Sequence, residues 1–179
     1  MERAAFLYAR MLDLAVRSAQ FSDCVLYSAA EPLDLLEHYG LPMELQEGKD
    51  LGERMGRALE RERRRYPAQS VVLVGSDLPD LRPAHIGLAH RLLRKFDTVL
   101  GPARDGGYYL IGISGQCPVS EAALFTGLSF SHDQVAREAV ARMASLGLTL
   151  GCTPPLGDLD GVHDLHSGHR DFYRSIFPD

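Results

Sequence analysis

Short apolar runs alternate with longer amphipathic stretches along this chain, and the two patterns predict different elements. The run at Val71–Val74 is rich in β-branched residues, apolar throughout and too short for a helix. This pattern is typical of a strand buried on both faces of a parallel sheet. Similar runs predict further strands at Cys24–Ala29, Thr98–Leu100, Tyr108–Ile113 and residues 148–152.

The stretches between these runs carry apolar residues at helical spacing. In residues 2–20 an apolar stripe recurs every three or four positions, as in a helix packed on a sheet. Asp50 and Glu53 form a capping-box pattern, which predicts that a helix begins there. Gly52 and Gly56 share one face of that helix, where we expect tight packing on the sheet or the close approach of a ligand. Two more helices are predicted at residues 83–93 and 134–146. Strands and helices thus alternate, as in an α/β fold.

The composition is that of an ordinary globular domain. The 179 residues are 45% apolar and 24% charged, enough for one domain with a sizeable core. The formal net charge of −5 argues against a general nucleic-acid binder, and no apolar run is long enough to span a membrane. Three widely spaced cysteines suggest neither a disulfide framework nor a thiolate zinc site. Because the first residues also lack the apolar core of a signal peptide, we expect a cytoplasmic protein without nucleic-acid or membrane partners.

A carboxylate follows the central predicted strand. Gly75 and Ser76 supply turn chemistry after the strand, and Asp77 comes directly beyond them. Pro79 then removes a backbone donor, so the strand cannot continue. Open α/β sheets bind ligands at the carboxyl ends of their strands, where an aspartate can hold a divalent cation together with phosphate and water oxygens. The alternative is that Asp77 only caps the turn or the helix that follows.

A second informative stretch lies between two apolar runs. Asp105, Gly106 and Gly107 have the chemistry of a tight connection, and Tyr108 begins the next predicted strand. The plain interpretation is a structural turn. The same glycines would also let backbone amides approach a phosphate or a sugar, with Asp105 available for hydroxyl groups or a metal.

The C-terminal stretch offers a third candidate. Asp158 and Asp160 are two positions apart, so both carboxylates face one side of an extended segment and could share a cation. His163, His166 and His169 recur every third residue, which on a helix drifts by about 60° per step. We therefore expect these histidines to line a terminal helix rather than to form a metal site.

Together these motifs resemble a bacterial family of glycosyltransferase-A-like (GT-A) proteins, the nucleotide-diphospho-sugar transferases of largely unassigned activity. The family looks related to the guanylyltransferases of molybdenum cofactor and of phospholactate. The resemblance spans essentially the whole chain, because several motifs agree in order and spacing. They lie at Glu2–Leu14, Gln46–Met55, Gly75–Leu81, Gly101–Ile113 and Asp158–Leu165.

The resemblance implies a Rossmann-like, three-layer α/β/α sandwich with a mostly parallel sheet. It further implies that the domain binds a nucleoside triphosphate or a nucleotide sugar with Mg²⁺ or Mn²⁺. Asp77 corresponds to a catalytic, metal-binding aspartate, Asp160 to a possible second metal ligand, and Asp105 to a catalytic residue at the acceptor or sugar side. The resemblance assigns substrate binding to Gln46, Gly48, Asp50, Leu51, Gly75, Ser76, Gly106, Gly107 and Tyr108.

Two features depart from the family pattern. The family has a central first strand and a glycine loop ending in a lysine-threonine-arginine-leucine run that cradles phosphates, whereas this chain starts inside the helix that follows. Leu128–His132 also stands where the family carries a tryptophan followed by small hydroxyl residues. A sheet without a central strand must close up or leave backbone groups unsatisfied. We therefore expect the neighbouring strands to pair, or a second molecule to add a strand as in a homodimer.

Three functional hypotheses follow. The first is a metal-dependent transferase for glycosyl or nucleotidyl transfer, with a nucleotide or nucleotide sugar as its partner. The second is a truncated or non-catalytic family member that acts as a ligand-binding or interaction module, as the missing phosphate loop suggests. The third is a phosphatase or hydrolase, since a carboxylate beside a metal can also activate water.

Overall fold

The computed structural model describes residues 2–20, 22–29 and 39–157, with the side chains of the first helix described from Leu7 onward. The helices in these ranges are α1 (Glu2–Ala19), α2 (Leu51–Arg65), α3 (Pro83–Leu92), α4 (Glu121–Phe125) and α5 (Val135–Ser145). The strands are β1 (Leu26–Ser28), β2 (Met43–Leu45), β3 (Val71–Val74), β4 (Thr98–Pro102), β5 (Tyr108–Ile113) and β6 (Leu150–Cys152). None of these helices is both long and apolar enough to cross a membrane.

The larger sheet is mixed, not mostly parallel as predicted. Its four strands lie in the order β3-β5-β4-β6, and β5 runs antiparallel to both of its neighbours. The tight Asp105–Gly107 connection forces this reversal, because a short hairpin can join only antiparallel strands. Only β4 and β6 pair in parallel within this sheet.

The predicted burial of β3 on both faces is confirmed only in part, because helices pack on both of its faces but leave its residues partly exposed. All four of its residues are half-buried, and β3 is an edge strand of the four-stranded sheet in the described part of the chain. β1 and β2 form a separate parallel pair, so β1 and β3 do not close onto each other as we expected. The pairing with a second molecule stays a prediction.

Helices α1 and α2 connect the two sheets. Leu12 and Val16 of α1 pack with Leu26 and Met43 of the small sheet, while neighbouring residues of the same helix pack near β3. On α2, the buried Glu62 accepts a hydrogen bond from the Tyr27 hydroxyl of β1 at 2.7 Å. The small sheet is therefore held mainly by helix contacts and not by strand pairing to β3.

The core is divided into two hydrophobic clusters by alternation along the strands. Val71 and Leu73 pack with α2, α4 and α5, whereas Val72 and Val74 pack with α1 and α3. Because side chains alternate between the faces of a strand, two groups of helices pack against opposite faces of β3. The three-layer sandwich implied for the whole chain stays a prediction.

The two glycines of α2 are packing positions, but their partner is a helix and not the sheet. A Cβ atom on Gly52 would lie 2.8 Å from the ring of Phe130, and one on Gly56 would lie 3.4 Å from the ring of Phe125 in α4. The absence of a side chain at Gly52 gives the Phe130 ring its room, whereas a Cβ atom at Gly56 would make an ordinary contact with α4. This placement favours the packing interpretation of the glycine pair over a ligand site.

Candidate functional site

The strand register brings two of the predicted acidic residues to one edge of the larger sheet. β5 lies between β3 and β4, and Leu110 of β5 is the register partner of both Val74 and Gly101. Asp77 follows the end of β3 by three residues, and Asp105 follows the end of β4 by the same number. Both carboxylates therefore lie at the edge formed by the carboxyl ends of β3 and β4, where open α/β sheets bind ligands.

The turn after β3 fits closely around Asp77, which is half-buried. The amide of Gly75 donates to the carbonyl of Tyr109 at 2.9 Å, which extends the pairing with β5 by one residue. A Cβ atom at Gly75 would lie 2.9 Å from Asp77 Oδ1. Gly75 therefore gives the carboxylate the room to fold back over the strand end. Ser76 contacts the hydroxyl of Tyr8 on α1 at 3.4 Å.

The hairpin that carries Asp105 is a well-bonded turn. Asp105 Oδ1 accepts from the Gly107 amide at 2.8 Å, and the Gly107 carbonyl accepts from the Ala103 amide at 2.9 Å. The Gly106 amide donates to the Ala103 carbonyl at 3.3 Å. The structural interpretation of this stretch is thus correct at the level of its backbone, since both glycine amides already have acceptors. Asp105 itself is exposed.

Gly106 also connects the hairpin to α5. Its φ of +96° lies in the region that favours glycine. Its carbonyl accepts from the Ala136 amide in the first turn of α5 at 2.9 Å. A Cβ atom at Gly106 would lie only 2.0 Å from the carbonyl oxygen of Asp133. Glycine is therefore required for the hairpin to pack against the loop before α5.

Tyr108 joins the same edge to α2. Its hydroxyl contacts Met55 Sδ at 3.8 Å, and burial raises the pKa of this tyrosine. Met55 lies in the N-terminal part of α2. The contact places the beginning of α2 beside the carboxyl edge. The observed role of Tyr108 is packing, and its assignment to substrate binding stays a prediction.

The predicted Gln46–Leu51 segment leads from β2 into α2. The Gln46 amide donates to the Ser28 carbonyl at 2.8 Å, and its side-chain Nε2 donates to the Tyr27 carbonyl at 3.1 Å. Gln46 is thereby fixed to β1. Leu51 is 50% exposed at the start of the helix. A ligand could contact this apolar side chain directly.

Asp50 is the N-cap of α2, as the capping pattern predicted. Its Oδ1 accepts from the Glu53 amide at 2.8 Å. Glu53 Oε2 in turn accepts from the Lys49 amide at 2.9 Å, one residue earlier than a standard capping box. Backbone hydrogen bonding lowers the pKa of Glu53, with a further contribution from Arg57. Two carboxylates therefore already occupy the positive end of the helix.

Gly48 packs directly on the first turn of α2. Its φ is +149°, and a Cβ atom there would lie 2.7 Å from the Arg54 amide nitrogen. The Gly48 carbonyl accepts from Arg54 Nε at 3.2 Å. Gly48 is thus needed for close backbone approach, which is a structural reason for its place in the motif.

A cavity of about 480 Å³ lies beside α2, and neither Asp77 nor Asp105 lines it. Its walls are Tyr27, Leu45, Glu47, Arg54, Arg57, Ala58, Glu60, Arg61 and Arg64. The sequence analysis did not identify this cavity. The signal that could have found it is the 3-4-3 spacing of its four arginines, which places them on one helix face.

The predicted metal site is described only in part. Among the residues that the structure covers, no group of three or more His, Cys, Asp or Glu side chains is arranged to hold a metal ion. The carboxylate of Asp77 suits a hard cation such as Mg²⁺, which also takes ligands from water and phosphate. Asp158, Asp160 and the three C-terminal histidines lie outside the described residues. The donor type therefore fits, while the complete ligand set stays a prediction.

Sequence comparison identifies the class of protein that carries this fold and site. Residues 11–132, more than half of the chain, match a family described as uncharacterized proteins conserved in bacteria (DUF2064). The chain belongs to this family. No curated protein matches the chain.

A solved structure gives a more particular likeness. The chain is similar to a protein from Desulfovibrio desulfuricans G20 that is provisionally described as a nucleotide-diphospho-sugar transferase. The TM-score is 0.85 and the sequence identity is 29%, over 95% of this chain and 76% of that one. The mixed α/β fold is thus shared with a protein considered a transferase of nucleotide sugars.

Proposed function

We propose that this protein is a metal-dependent transferase that acts on a nucleotide-activated substrate. The observation that carries the proposal is the convergence of Asp77 and Asp105 at one carboxyl edge of the sheet. The likeness to a provisionally described nucleotide-diphospho-sugar transferase supports the substrate class. A cytoplasmic location and a homodimer are part of the same proposal.

In this proposal Asp77 and Asp160 hold Mg²⁺ or Mn²⁺. The cation, when bound, neutralises negative charge that develops on the phosphates during transfer. Gly75 leaves space for the Asp77 carboxylate, so a side chain at this position would displace a metal ligand. Ser76, next to Asp77, borders the substrate at this edge of the sheet.

Asp105 acts at the acceptor side. Its Oδ1 is held by the Gly107 amide, so Oδ2 is the atom that orients an acceptor hydroxyl group. The amides of Gly106 and Gly107 donate within the turn and do not bind phosphate. The role of the glycines is to hold Asp105 in place. Gln46, Gly48, Asp50 and Leu51 border the nucleotide, with Leu51 and Tyr108 as its nearest apolar surfaces.

A non-catalytic binding module is the second candidate. It is favoured by the extent to which the predicted site residues already bond to the protein itself. Asp50 caps a helix, and Asp105 closes a turn. In this case the domain would bind a nucleotide without transferring any part of it.

Calorimetric titration tests the proposal. The protein is titrated with nucleoside triphosphates and nucleotide sugars, with and without Mg²⁺ or Mn²⁺. We expect metal-dependent binding that Asp77→Ala and Asp77→Asn abolish. The matched control is Asp23→Ala, which removes an exposed carboxylate before β1. The metal-dependent transferase would be refuted if the Asp77 variants bound these ligands as tightly as the unaltered protein does. It would also be refuted if the unaltered, folded protein bound none of them.

Product analysis then identifies the reaction. Release of pyrophosphate from a nucleoside triphosphate indicates nucleotidyl transfer. Release of a nucleoside phosphate from a nucleotide sugar in an acceptor-dependent manner indicates glycosyl transfer. Phosphate release that needs no acceptor would favour a hydrolase.

A further inference from the structure

The arginines that line the cavity beside α2 are not equivalent. Three of them have carboxylate partners: Arg57 with Glu53, Arg61 with Glu44 and Glu47, and Arg64 with Glu60. The N···O distances of these pairs lie between 2.5 and 2.8 Å. The guanidinium groups of these three residues are therefore largely neutralised within the protein.

Arg54 is the exception among the described residues. Its Nε donates to the Gly48 carbonyl at 3.2 Å, and no described carboxylate lies within salt-bridge distance. The side chain is half-buried, so it is not simply an exposed surface charge. A guanidinium group has five N–H donors, and the four on its Nη atoms have no acceptor in the described part of the chain. Nε is fixed while the two Nη atoms are available, which suits two-point binding of an oxyanion.

The cavity is an open depression with charged and apolar walls. Its volume of about 480 Å³ lies within the usual range of ligand pockets. Four arginines and two glutamates line it, and three of these arginines are paired with carboxylates, so Arg54 is the cation that stays available to a ligand among the described residues. Tyr27, Leu45 and Ala58 add apolar surface. A ligand with an anionic group and a less polar body matches these walls.

The cavity adjoins the segment assigned to the nucleotide. The Gly48 carbonyl that orients Arg54 belongs to Gln46–Leu51, and the Arg54 amide donates to the Asp50 carbonyl at 3.1 Å. Glu47 of the same segment lines the cavity. The N-terminal part of α2 that contains Arg54 also contacts the carboxyl edge through Met55 and Tyr108.

We propose that Arg54 binds the diphosphate group of a nucleotide in the cavity beside α2. This inference rests on the proposed function, because it assigns the phosphates of the nucleotide substrate to a cation outside the aspartate pair. It also explains why Arg54 lacks a carboxylate partner in the described part of the chain while the three other arginines of the cavity have one.

The test is titration with inorganic pyrophosphate and with the four ribonucleoside diphosphates, in the presence of EDTA so that no metal contributes. We expect Arg54→Gln to weaken binding about 10-fold or more, because a charged hydrogen-bond pair is lost. Arg54→Lys should not restore it, since an ammonium group lacks the planar two-point geometry. The matched control is Arg64→Gln, which removes an arginine that is paired with Glu60 and has a side chain 78% exposed.

A second variant keeps the test valid if Arg54→Gln does not fold. Glu47→Gln removes a cavity carboxylate that is paired with Arg57 and Arg61. We expect it to tighten pyrophosphate binding by about 3-fold or more, since it removes a negative charge that repels the anion. Unchanged affinity in Arg54→Gln would overturn the proposal, as would unchanged affinity in Glu47→Gln if Arg54→Gln does not fold, or an equal loss in Arg64→Gln.

The outcome also separates this proposal from the proposed function. Asp77→Ala should leave the metal-free binding of pyrophosphate unchanged if Arg54 forms the site. Metal-dependent binding that needs Asp77 but not Arg54 would overturn the Arg54 site and leave the transferase standing. Metal-free binding that needs Arg54, without any effect of metal or Asp77, would support the site and count against the transferase.

Discussion

Replacement of Gly106 by alanine tests the packing that holds Asp105 at the carboxyl edge. The new Cβ atom would lie 2.0 Å from the Asp133 carbonyl oxygen, whereas real Cβ contacts do not fall below 3.0 Å. The hairpin and the loop before α5 must therefore separate by about 1 Å or more. This movement would also stretch the hydrogen bond from the Ala136 amide to the Gly106 carbonyl.

Gly106→Ala should lower the free energy of unfolding through two separate effects. A non-glycine residue at a positive φ costs about 1–2 kcal/mol. The broken hydrogen bond and the displaced loop add about 1–2 kcal/mol. The total of about 2–4 kcal/mol corresponds to a fall in Tm of about 5–15 °C for a chain of this size.

Gly127 provides the matched control. Its φ is +82°, close to that of Gly106, but nothing lies within 4 Å of a Cβ atom built on it. Gly127→Ala should therefore cost only the backbone part, about 1–2 kcal/mol. Urea unfolding followed by circular dichroism measures both variants. Equal losses in Gly106→Ala and Gly127→Ala would refute the view that Gly106 packs the hairpin against α5.

Three more predictions concern stability. Gly56→Ala should stabilise the protein by about 0.5–1 kcal/mol, because alanine favours the helix and its Cβ meets Phe125 at an ordinary 3.4 Å; a lower urea midpoint would contradict this. Burial lowers the pKa of His90, whose Nδ1 contacts Ser70 Oγ at 2.8 Å. The folded state therefore favours the neutral ring, and the free energy of unfolding should fall as the pH drops below about 6.5. His90→Gln should reduce that loss in unfolding curves at pH 8 and pH 5, and an unchanged loss would count against the argument. Leu59→Ala should lower the free energy of unfolding by about 2–5 kcal/mol, measured by urea unfolding, because the side chain is fully buried. A loss below about 1 kcal/mol would contradict the place of Leu59 in the core.

Local sequence signals predicted several elements correctly. Val71–Val74 and Tyr108–Ile113 are strands with the predicted bounds, and Asp50 caps a helix that ends at Arg65. Gly147, with a φ of +70°, follows α5 as a C-terminal stop. These signals work because each depends on the conformational preferences and hydrogen bonds of residues close together in the chain.

Other features required the pairing of distant residues. The pairing of β5 with β3, and the separation of β1 and β2 into their own sheet, follow from contacts between segments far apart in the chain. The partner of Gly52 and Gly56 is Phe125 with Phe130 and not the sheet, which glycine spacing alone does not reveal. Spacing shows which face of a helix is open to close approach, but not what approaches it.

The candidate site likewise combines features set by short segments with features set by contacts between distant residues. The sequence by itself determined that Asp77 follows a strand, that Asp105 lies in a tight turn and that Asp50 begins a helix, because these are properties of short segments. Only the tertiary structure decided the strand order that places Asp77 and Asp105 at one edge, and that Arg54 lacks, among the described residues, the carboxylate partner its neighbours have. Whether a charged group is paired depends on side chains that folding brings together from separate segments, so no local pattern contains that information.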